Sequence, residues 1–287
     1  MVGGGIAGLA SAVRLIQHGL KPIVLEKRPF LGGRAYSFKD QETGIEIDNG
    51  QHVFVGACKQ FQKYITDIGV DDQVTLDERL AFPVIKREQI SWIRARKLPS
   101  ILSNLSMLLG YRHIGISGKI RILSGLLSIK RTILEIQHDQ VTFYDWLKVH
   151  HQNKETIENF WNLIILPSLN DNINSVSAYT GISLFKVAFL GPTKNAAIGF
   201  PLIGLSSLVG ESARNFIEGE GGVIRPGFSV GSLHMESGQV IGVQTQDGEL
   251  VEGDAVISAL PAADMTSLLN DSMDVQHDFF KPAESVQ

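Results

Sequence analysis

This chain has almost no cysteine, no strong charge imbalance and no long uncharged run. Cys58 is the only cysteine among 287 residues, which excludes a disulfide within the chain and argues against a cysteine-based metal site. With 26 Lys and Arg against 30 Asp and Glu, the net charge of −4 gives no reason to expect nucleic acid as a partner. No secretory signal pattern precedes the first motif, so we expect a cytoplasmic protein.

The longest uncharged run also excludes one class of protein. It covers residues 195–210, contains Pro201 and several glycines, and is shorter than the ~20 residues that a bilayer-spanning helix needs. We therefore do not expect a membrane-spanning protein. Contact with a membrane surface stays open, because Lys86, Arg87, Arg94, Arg96 and Lys97 precede the apolar stretch 98–109. A solvated face beside a domain core is the alternative interpretation of these charges.

The most informative feature that is present is a glycine pattern at the N-terminus. Gly3, Gly5 and Gly8 form G-x-G-x-x-G immediately before a segment, residues 6–17, whose apolar residues have helical spacing. Residues 22–26 follow as a short apolar strand that ends in Glu26. In dinucleotide-binding folds such glycines let the backbone approach a pyrophosphate at the helix N-terminus, and an acid at this distance binds ribose hydroxyls. The pattern therefore predicts a dinucleotide site.

A second glycine-rich loop follows the acid-ended strand. Gly32 and Gly33 allow close backbone approach to a ligand, and Arg34 is suited to bidentate phosphate contact. Alone this would be a common loop. Placed six residues after Glu26, it favours a flavoprotein over a simple NAD dehydrogenase.

These motifs resemble one family. The segments that carry the likeness are residues 3–10, 24–38 and 48–54, with supporting matches at 144–147, 160–170 and 255–261. Together they are similar to the flavin-containing amine oxidase and phytoene desaturase superfamily. Within it they most resemble the squalene-associated FAD-dependent desaturases, also called hydroxysqualene dehydroxylases.

The resemblance implies an FAD site and its residues. The opening turn would hold the FAD pyrophosphate, Glu26 the adenosine ribose with Lys27 beside it, Gly33 and Arg34 the diphosphate or flavin, and the Val230 backbone the adenine. The residues of the opening turn are Gly3, Gly5, Ile6, Ala7 and Gly8. No metal site is expected. His52 is an acid–base candidate, and a structural role with a hydrogen bond to backbone is the more common alternative for such a residue.

The patterns predict an α/β fold, with a Rossmann-like FAD/NAD(P)-binding domain interrupted by a mostly helical substrate domain. We expect residues 1–80 and 201–287 to form the FAD-binding domain and residues 81–200 the helical one. Asp247-Gly248 predicts a hairpin turn, and residues 254–260 predict a buried strand. Only Met1 and Val2 precede Gly3, and residues 270–287 are polar and weakly patterned. We therefore expect a chain that is truncated at both ends of this domain.

The function that the resemblance implies is FAD-dependent redox chemistry on a long isoprenoid. The first expectation is reduction of hydroxysqualene to squalene in hopanoid or triterpenoid biosynthesis, with an unidentified electron donor and a possible peripheral contact with a membrane that holds the substrate. A carotenoid desaturase of the phytoene type is the nearest alternative, and an amine oxidase is a more distant one. A non-catalytic fragment or scaffold is the alternative from another class.

Overall fold

The structure is a computed structural model that describes residues 1–50, 52–98, 101–270, 272 and 280. The predicted polar tail therefore lies almost entirely outside the described residues. The helices are α1 Ile6–Gln17, α2 Lys59–Asp67, α3 Ile101–Leu105, α4 Ile116–Arg131, α5 Phe143–Val149, α6 Lys154–Thr156, α7 Asn162–Leu169, α8 Ala178–Ala188, α9 Ser212–Gly219 and α10 Ala262–Asn270. The strands are β1 Ile23–Glu26, β2 Ser37–Lys39, β3 Glu46–Asp48, β4 Phe54–Val55, β5 Val74–Leu76, β6 Ala81–Lys86, β7 Gln89–Arg94, β8 Ile198–Pro201, β9 Val223–Pro226, β10 Val230–Glu236, β11 Gln239–Thr245 and β12 Leu250–Glu252.

The chain folds into two compact units. The first unit contains the described residues of Met1–His52, Gln60–Val74 and Pro201–Gln287. The second unit contains Val53–Lys59 and the described residues of Thr75–Phe200. Within the described residues, none of the helices has the length and apolar character needed to cross a bilayer.

A parallel arrangement of extended segments forms the centre of the first unit. β1 pairs in parallel with β9, and on its other side Leu25 forms a parallel bridge with Val2. Val2 in turn bridges Ser258, so the order across this layer is β9, β1, Val2 and Ser258. The backbone of Val2 donates to the Ile257 carbonyl at 2.9 Å and accepts from the Ala259 amide at 2.8 Å. The first residues of the chain therefore lie between two extended neighbours.

Apolar side chains cover both faces of this layer. On one face, α1, α2 and α9 pack through a buried cluster that includes Leu9, Val13, Val24, Ile65 and Ile217. On the other face, Val2 and Leu25 pack against Val243 of an antiparallel sheet with the order β10, β11, β12. The first unit therefore has helices, parallel segments and an antiparallel sheet in three layers, in agreement with the predicted α/β class.

The structure contains one hairpin that the sequence predicted and one that it did not. β11 and β12 pair antiparallel around Asp247-Gly248, and Gly248 has a φ of +86°, so this predicted hairpin is confirmed. The hairpin of β6 and β7 lies in the region that was predicted to be mostly helical. Its turn consists of Arg87 and Glu88, both with positive φ, instead of glycine or asparagine. The sequence therefore carried no standard turn signal there.

The prediction of a buried strand over residues 254–260 is wrong. The segment forms only the single bridge at Ser258, and its residues are half-buried or exposed. The physical reason is its hydrogen-bonding partner, because Val2 supplies one donor and one acceptor and the next residue, Gly3, turns away toward α1. This largely apolar segment therefore forms only one bridge, because a strand requires a paired neighbour along its length.

The second unit has a largely helical core. Buried aromatic side chains on α5, α8 and the π-helical segment Ile157–Trp161 pack near its centre in stacked and T-shaped pairs. Trp161 lies with its ring centroid 4.8 Å from that of Phe185 and 6.1 Å from that of Phe143.

Thr142 caps α5 by accepting a hydrogen bond from the Asp145 amide, as its position in the sequence predicts.

Candidate functional site

A tight turn joins Val2 to α1 and depends on two glycines. Gly3 has a φ of +103°, and its amide donates to the Leu25 carbonyl at 2.9 Å. A Cβ atom on Gly8 would lie 1.9 Å from the Gly3 carbonyl oxygen. The first and third glycines of the pattern are therefore required because α1 folds directly against the turn, leaving no volume for a side chain.

The N-terminus of α1 is open to a ligand. Gly5 is the N-cap residue and has no side chain with which to cap the helix. The first amides of a helix have no partner within the helix. In α1 these are the amides of Ile6, Ala7 and Gly8. Together with the positive end of the helix dipole, these amides favour a bound anion such as a phosphate.

The second glycine loop lies beside the first. The Gly32 amide donates to the Gly4 carbonyl at 2.9 Å, and Gly5 and Gly32 form a parallel bridge. Gly33 has a φ of +64°, and a Cβ atom there would lie 3.1 Å from the Gly5 Cα. Two stretches of backbone without side chains therefore meet at the start of α1. This arrangement leaves peptide groups, and not side chains, next to the space that an anion would occupy.

Glu26 lies at the carboxyl end of β1 and points back to the turn. Its side chain is buried, with one oxygen accepting from the Gly4 amide at 2.7 Å and the other from the Arg28 amide at 2.9 Å. A Cβ atom on Gly4 would lie 2.8 Å from the Glu26 Cβ. Each carboxylate oxygen can accept more than one hydrogen bond, so the bonds from Gly4 and Arg28 leave capacity for a ligand hydroxyl.

The basic residues near Glu26 have separate partners. Lys27 forms an ion pair with Asp264 of α10 at 3.6 Å, and both side chains are largely exposed. Arg28 donates from its guanidinium to the Gly33 carbonyl at 3.3 Å and lies over the Phe30 ring. Arg34 is exposed, and its carbonyl accepts from the Asn49 side chain at 3.2 Å. Arg28 thus links the acid-ended strand to the second glycine loop.

Val230 lies at the start of β10, near the same end of β1. The Phe228 amide donates to the Glu26 carbonyl, and the Gly227 amide donates to the Arg28 carbonyl, each at 2.9 Å. These two bonds bring the segment that leads into Val230 alongside the acid. The structure therefore gathers the predicted residues of both glycine loops, Glu26 and the approach to Val230 at one edge of the parallel layer. Their individual ligand contacts stay predictions.

His52 has a local contact. Its Nδ1 lies 2.9 Å from the Gly50 carbonyl oxygen, which is the backbone contact expected of a structural histidine. Nearby Asp48 accepts from the Ser37 hydroxyl at 2.7 Å and from the Leu205 amide at 3.0 Å. Asp48 therefore joins the β2–β3 hairpin to the start of the segment that continues into α9. Its contacts assign it a structural role, and a catalytic role for His52 stays a prediction.

Two residues of this site were not identified from the sequence. Gly4 provides the amide that binds Glu26, and Arg28 provides both an amide for that carboxylate and a guanidinium for the Gly33 carbonyl. A signal for Gly4 existed, since the G-x-G-x-x-G pattern leaves its second position open and a third adjacent glycine occupies it. For Arg28, the signal is its position two residues after the acid, where an amide can reach the side-chain oxygen.

The residues of this site meet the requirements of a bound dinucleotide. Paired phosphates require open amides and a backbone that a ligand can approach closely, and the meeting of Gly5 and Gly33 at the start of α1 meets both requirements. A ribose requires a fixed acceptor next to those phosphates, and two amides hold the Glu26 carboxylate there. Among the described residues there is no cluster of three or more potential metal ligands.

Known proteins provide an independent comparison. The chain is 26% identical over 281 residues to 15-cis-phytoene desaturase of Solanum lycopersicum, covering 91% of this chain and 46% of that protein. It is 25% identical over 196 residues to zeta-carotene desaturase of Zea mays, covering 64% of this chain and 34% of that protein. The chain thus spans about half the length of the first of these curated relatives.

Solved structures show the same fold. An oxidoreductase from Methanosarcina mazei matches with a TM-score of 0.71 and 18% identity, over 100% of this chain and 64% of that one. Putrescine oxidase bound to putrescine matches with a TM-score of 0.64 and 17% identity, over 93% of this chain and 58% of that one. These likenesses confirm the predicted fold class. The profile of the family described as flavin containing amine oxidoreductase matches residues 6–286. Because this match covers nearly the whole chain, the chain belongs to that family, which confirms the predicted FAD cofactor.

Proposed function

We propose that this protein is part of an FAD-dependent oxidoreductase that acts on a long isoprenoid, with desaturation of a carotenoid precursor as the favoured reaction. The observation that carries this proposal is the similarity to 15-cis-phytoene desaturase over 91% of the chain. The similarity to zeta-carotene desaturase supports the same substrate class. The dinucleotide site described above supports the use of FAD.

In this proposal the residues of the first unit bind and orient the cofactor. The amides at the start of α1 hold the paired phosphates, and the Glu26 carboxylate accepts hydrogen bonds from the adenosine ribose. Gly5 and Gly33 keep side chains away from the phosphates. When bound, FAD supplies the two-electron redox chemistry that amino acid side chains lack.

The reaction expected first from the sequence, reductive dehydroxylation of hydroxysqualene, is the competing proposal. Its support is the set of motifs at residues 144–147, 160–170 and 255–261. The two reactions run in opposite redox directions. Desaturation removes two hydrogens from a carbon–carbon single bond, so the electrons require an external acceptor. Dehydroxylation replaces a hydroxyl by hydrogen and releases water, so it requires an external donor.

This difference in direction provides the test. The purified chain, and a form extended to the length of its curated relatives, would be loaded with FAD and checked for flavin absorbance. Each would then be incubated in detergent micelles with phytoene plus a quinone acceptor, and separately with hydroxysqualene plus a chemically reduced flavin donor. Products would be separated by chromatography. A variant with Glu26→Gln would serve as a control for dependence on the cofactor site.

The outcomes separate the alternatives. Conversion of phytoene to a product with more conjugated double bonds, lost in Glu26→Gln, supports the favoured reaction. Formation of squalene alone would overturn it in favour of dehydroxylation. Flavin binding without turnover of either substrate in both forms would support the non-catalytic alternative. Absence of flavin absorbance in the extended form would overturn the proposal itself.

A further inference from the structure

Helix α4 of the second unit has two apolar faces, and only one of them is buried. The buried face contains Ile122, Leu126 and Ile129, with Gly118 and Gly125 allowing close packing. On the opposite side an apolar stripe is exposed to solvent at spacings of three and four residues, which is one face of an α-helix. Its members are Ile116, Ile120, Leu123 and Leu127, of which Ile116 is 80% and Ile120 62% exposed.

Positive charge borders this exposed stripe on both sides. At 3.6 residues per turn, Lys119 and Lys130 lie along one edge of the stripe and Arg131 along the other. The sequence of α4 contains no Asp or Glu. Glu155, which binds the Gly115 amide at 3.2 Å, lies on the side of Gly118 and therefore on the buried face.

The apolar character continues beyond the helix. The Lys119 amino group lies 3.5 Å from the Leu109 carbonyl, and the Leu109 side chain is largely exposed. The next residue, Gly110, lies against the backbone of Trp92, whose partly exposed ring carries the Arg94 guanidinium 4.8 Å from its centroid. We name the stripe with Leu109 and the three basic residues at its edges the α4 surface.

We propose that the α4 surface docks on a lipid bilayer that contains anionic headgroups. An exposed apolar stripe with Lys and Arg at its edges is the pattern of a helix that lies in the plane of a membrane interface. The apolar side chains would enter the boundary between headgroups and acyl chains, while the basic ends contact lipid phosphates. This inference does not depend on the proposed function, although a membrane-borne isoprenoid substrate would be consistent with it.

Charge favours a lipid surface over a second copy of the chain. A twofold contact between two α4 surfaces would place Lys119, Lys130 and Arg131 near the same residues of the other copy, without acids within the helix to pair them. Like charges at close range oppose such a contact. An anionic bilayer presents the complementary charge over the whole area.

Vesicle co-sedimentation tests the proposal with the complete chain and without added flavin. Vesicles of phosphatidylcholine alone would be compared with vesicles that include phosphatidylglycerol. The test variants are Ile120→Ser with Leu123→Ser, which removes apolar contact, and Lys130→Gln with Arg131→Gln, which removes charge. The matched control is Leu20→Ser with Val149→Ser, because these side chains are exposed and lie outside the α4 surface.

We expect the wild-type chain and the control to bind anionic vesicles, and added salt to weaken that binding. Each test variant is expected to lower the partition coefficient about tenfold. All the substituted side chains are exposed. The variants should therefore keep the circular dichroism spectrum and the melting temperature of the wild type. Because the assay needs no turnover, its failure is distinguishable from failure of the proposed function.

Four results of the vesicle assay would overturn the proposal. They are absence of wild-type binding to anionic vesicles, equal binding by the apolar variant, equal binding to neutral vesicles, and an equal loss in the control. Sedimentation velocity adds a check, since self-association that Ile120→Ser with Leu123→Ser abolishes would assign the α4 surface to a second copy. Loss of binding in a form extended to the length of the curated relatives would also overturn the proposal, because added chain would then cover the surface.

Discussion

The amide of Gly4 donates a hydrogen bond to the carboxylate of Glu26 across 2.7 Å, although the two residues are 22 positions apart. The contact joins the glycine turn to the end of β1 and leaves the acid next to the first amides of α1. A carboxylate in such a contact is held by a charge-assisted hydrogen bond, which is stronger than a neutral one. This bond, together with the one from the Arg28 amide, therefore fixes the ribose site relative to the phosphate site.

Replacing Glu26 by Gln should weaken FAD binding more than it weakens the fold. Gln keeps one acceptor oxygen for a backbone amide, but it removes the carboxylate charge and the second oxygen that would accept from the ribose. A hydrogen bond to a charged group contributes about 1.5–3 kcal/mol, so we expect FAD affinity to fall about 10- to 100-fold. Fluorescence titration of FAD measures this directly. The control Glu220→Gln changes an exposed acid beyond α9 and should leave affinity unchanged.

The close packing of Gly8 predicts a steric effect. In Gly8→Ala the new Cβ would overlap the Gly3 carbonyl oxygen, so α1 must move away from the turn. We expect a loss of at least ~2 kcal/mol in the free energy of unfolding and loss of FAD binding. Gly219→Ala is the matched control, because it lies at the end of α9 with nothing within 4 Å of the new Cβ. It should stabilise by about 0.5–1 kcal/mol. Equal behaviour of the two variants in urea unfolding would contradict the steric argument.

The buried indole of Trp161 forms a hydrogen bond with the buried side-chain amide of Gln152. Its N–H donates to the Gln152 side-chain oxygen at 2.9 Å, while the Gln152 nitrogen donates to the Arg121 and His150 carbonyls. Trp161→Phe removes the donor and leaves both a cavity and an unpaired oxygen. We expect a loss of about 2–3 kcal/mol in chemical denaturation. Trp92→Phe changes a partly exposed ring and should cost much less; a similar loss would contradict the assigned role of the indole.

Two buried tyrosines predict a loss of stability at alkaline pH. Burial raises the pKa of Tyr111 to about 12, and burial raises the pKa of Tyr64 further above its ordinary value. Above pH ~10 the unfolded chain releases these protons while the folded chain retains them, so the free energy of unfolding falls as pH rises. Below that pH both states keep the protons and no loss arises.

Denaturant unfolding from pH 8 to 11 would measure this dependence. We expect a shallower decline in Tyr64→Phe with Tyr111→Phe than in the wild type. Both hydroxyls donate to backbone carbonyls, so the double variant should start from a lower stability. Tyr179→Phe, which changes an exposed ring, should retain the wild-type decline. Parallel declines in all three proteins would contradict the role of burial.

Local patterns predicted some elements well and others poorly. Residues 6–17 were predicted as a helix and form α1 with the same limits, because helical periodicity and a glycine N-cap are local properties. Residues 254–260 have the composition of a buried strand but form one bridge, since pairing depends on what lies alongside. The β6–β7 hairpin was missed because its turn residues, Arg87 and Glu88, adopt positive φ without a sequence cue.

For the site, the spacing of Gly3, Gly5 and Gly8 and the position of Glu26 were sufficient to predict a dinucleotide-binding turn, because both follow from conformational limits within one βαβ unit. The contact of Gly4 with Glu26, the meeting of Gly5 with Gly33, and the exposure of one apolar face of α4 were decided only by the folded chain. Each of these depends on residues far apart in sequence, and periodicity marks an apolar face without indicating whether another element covers it.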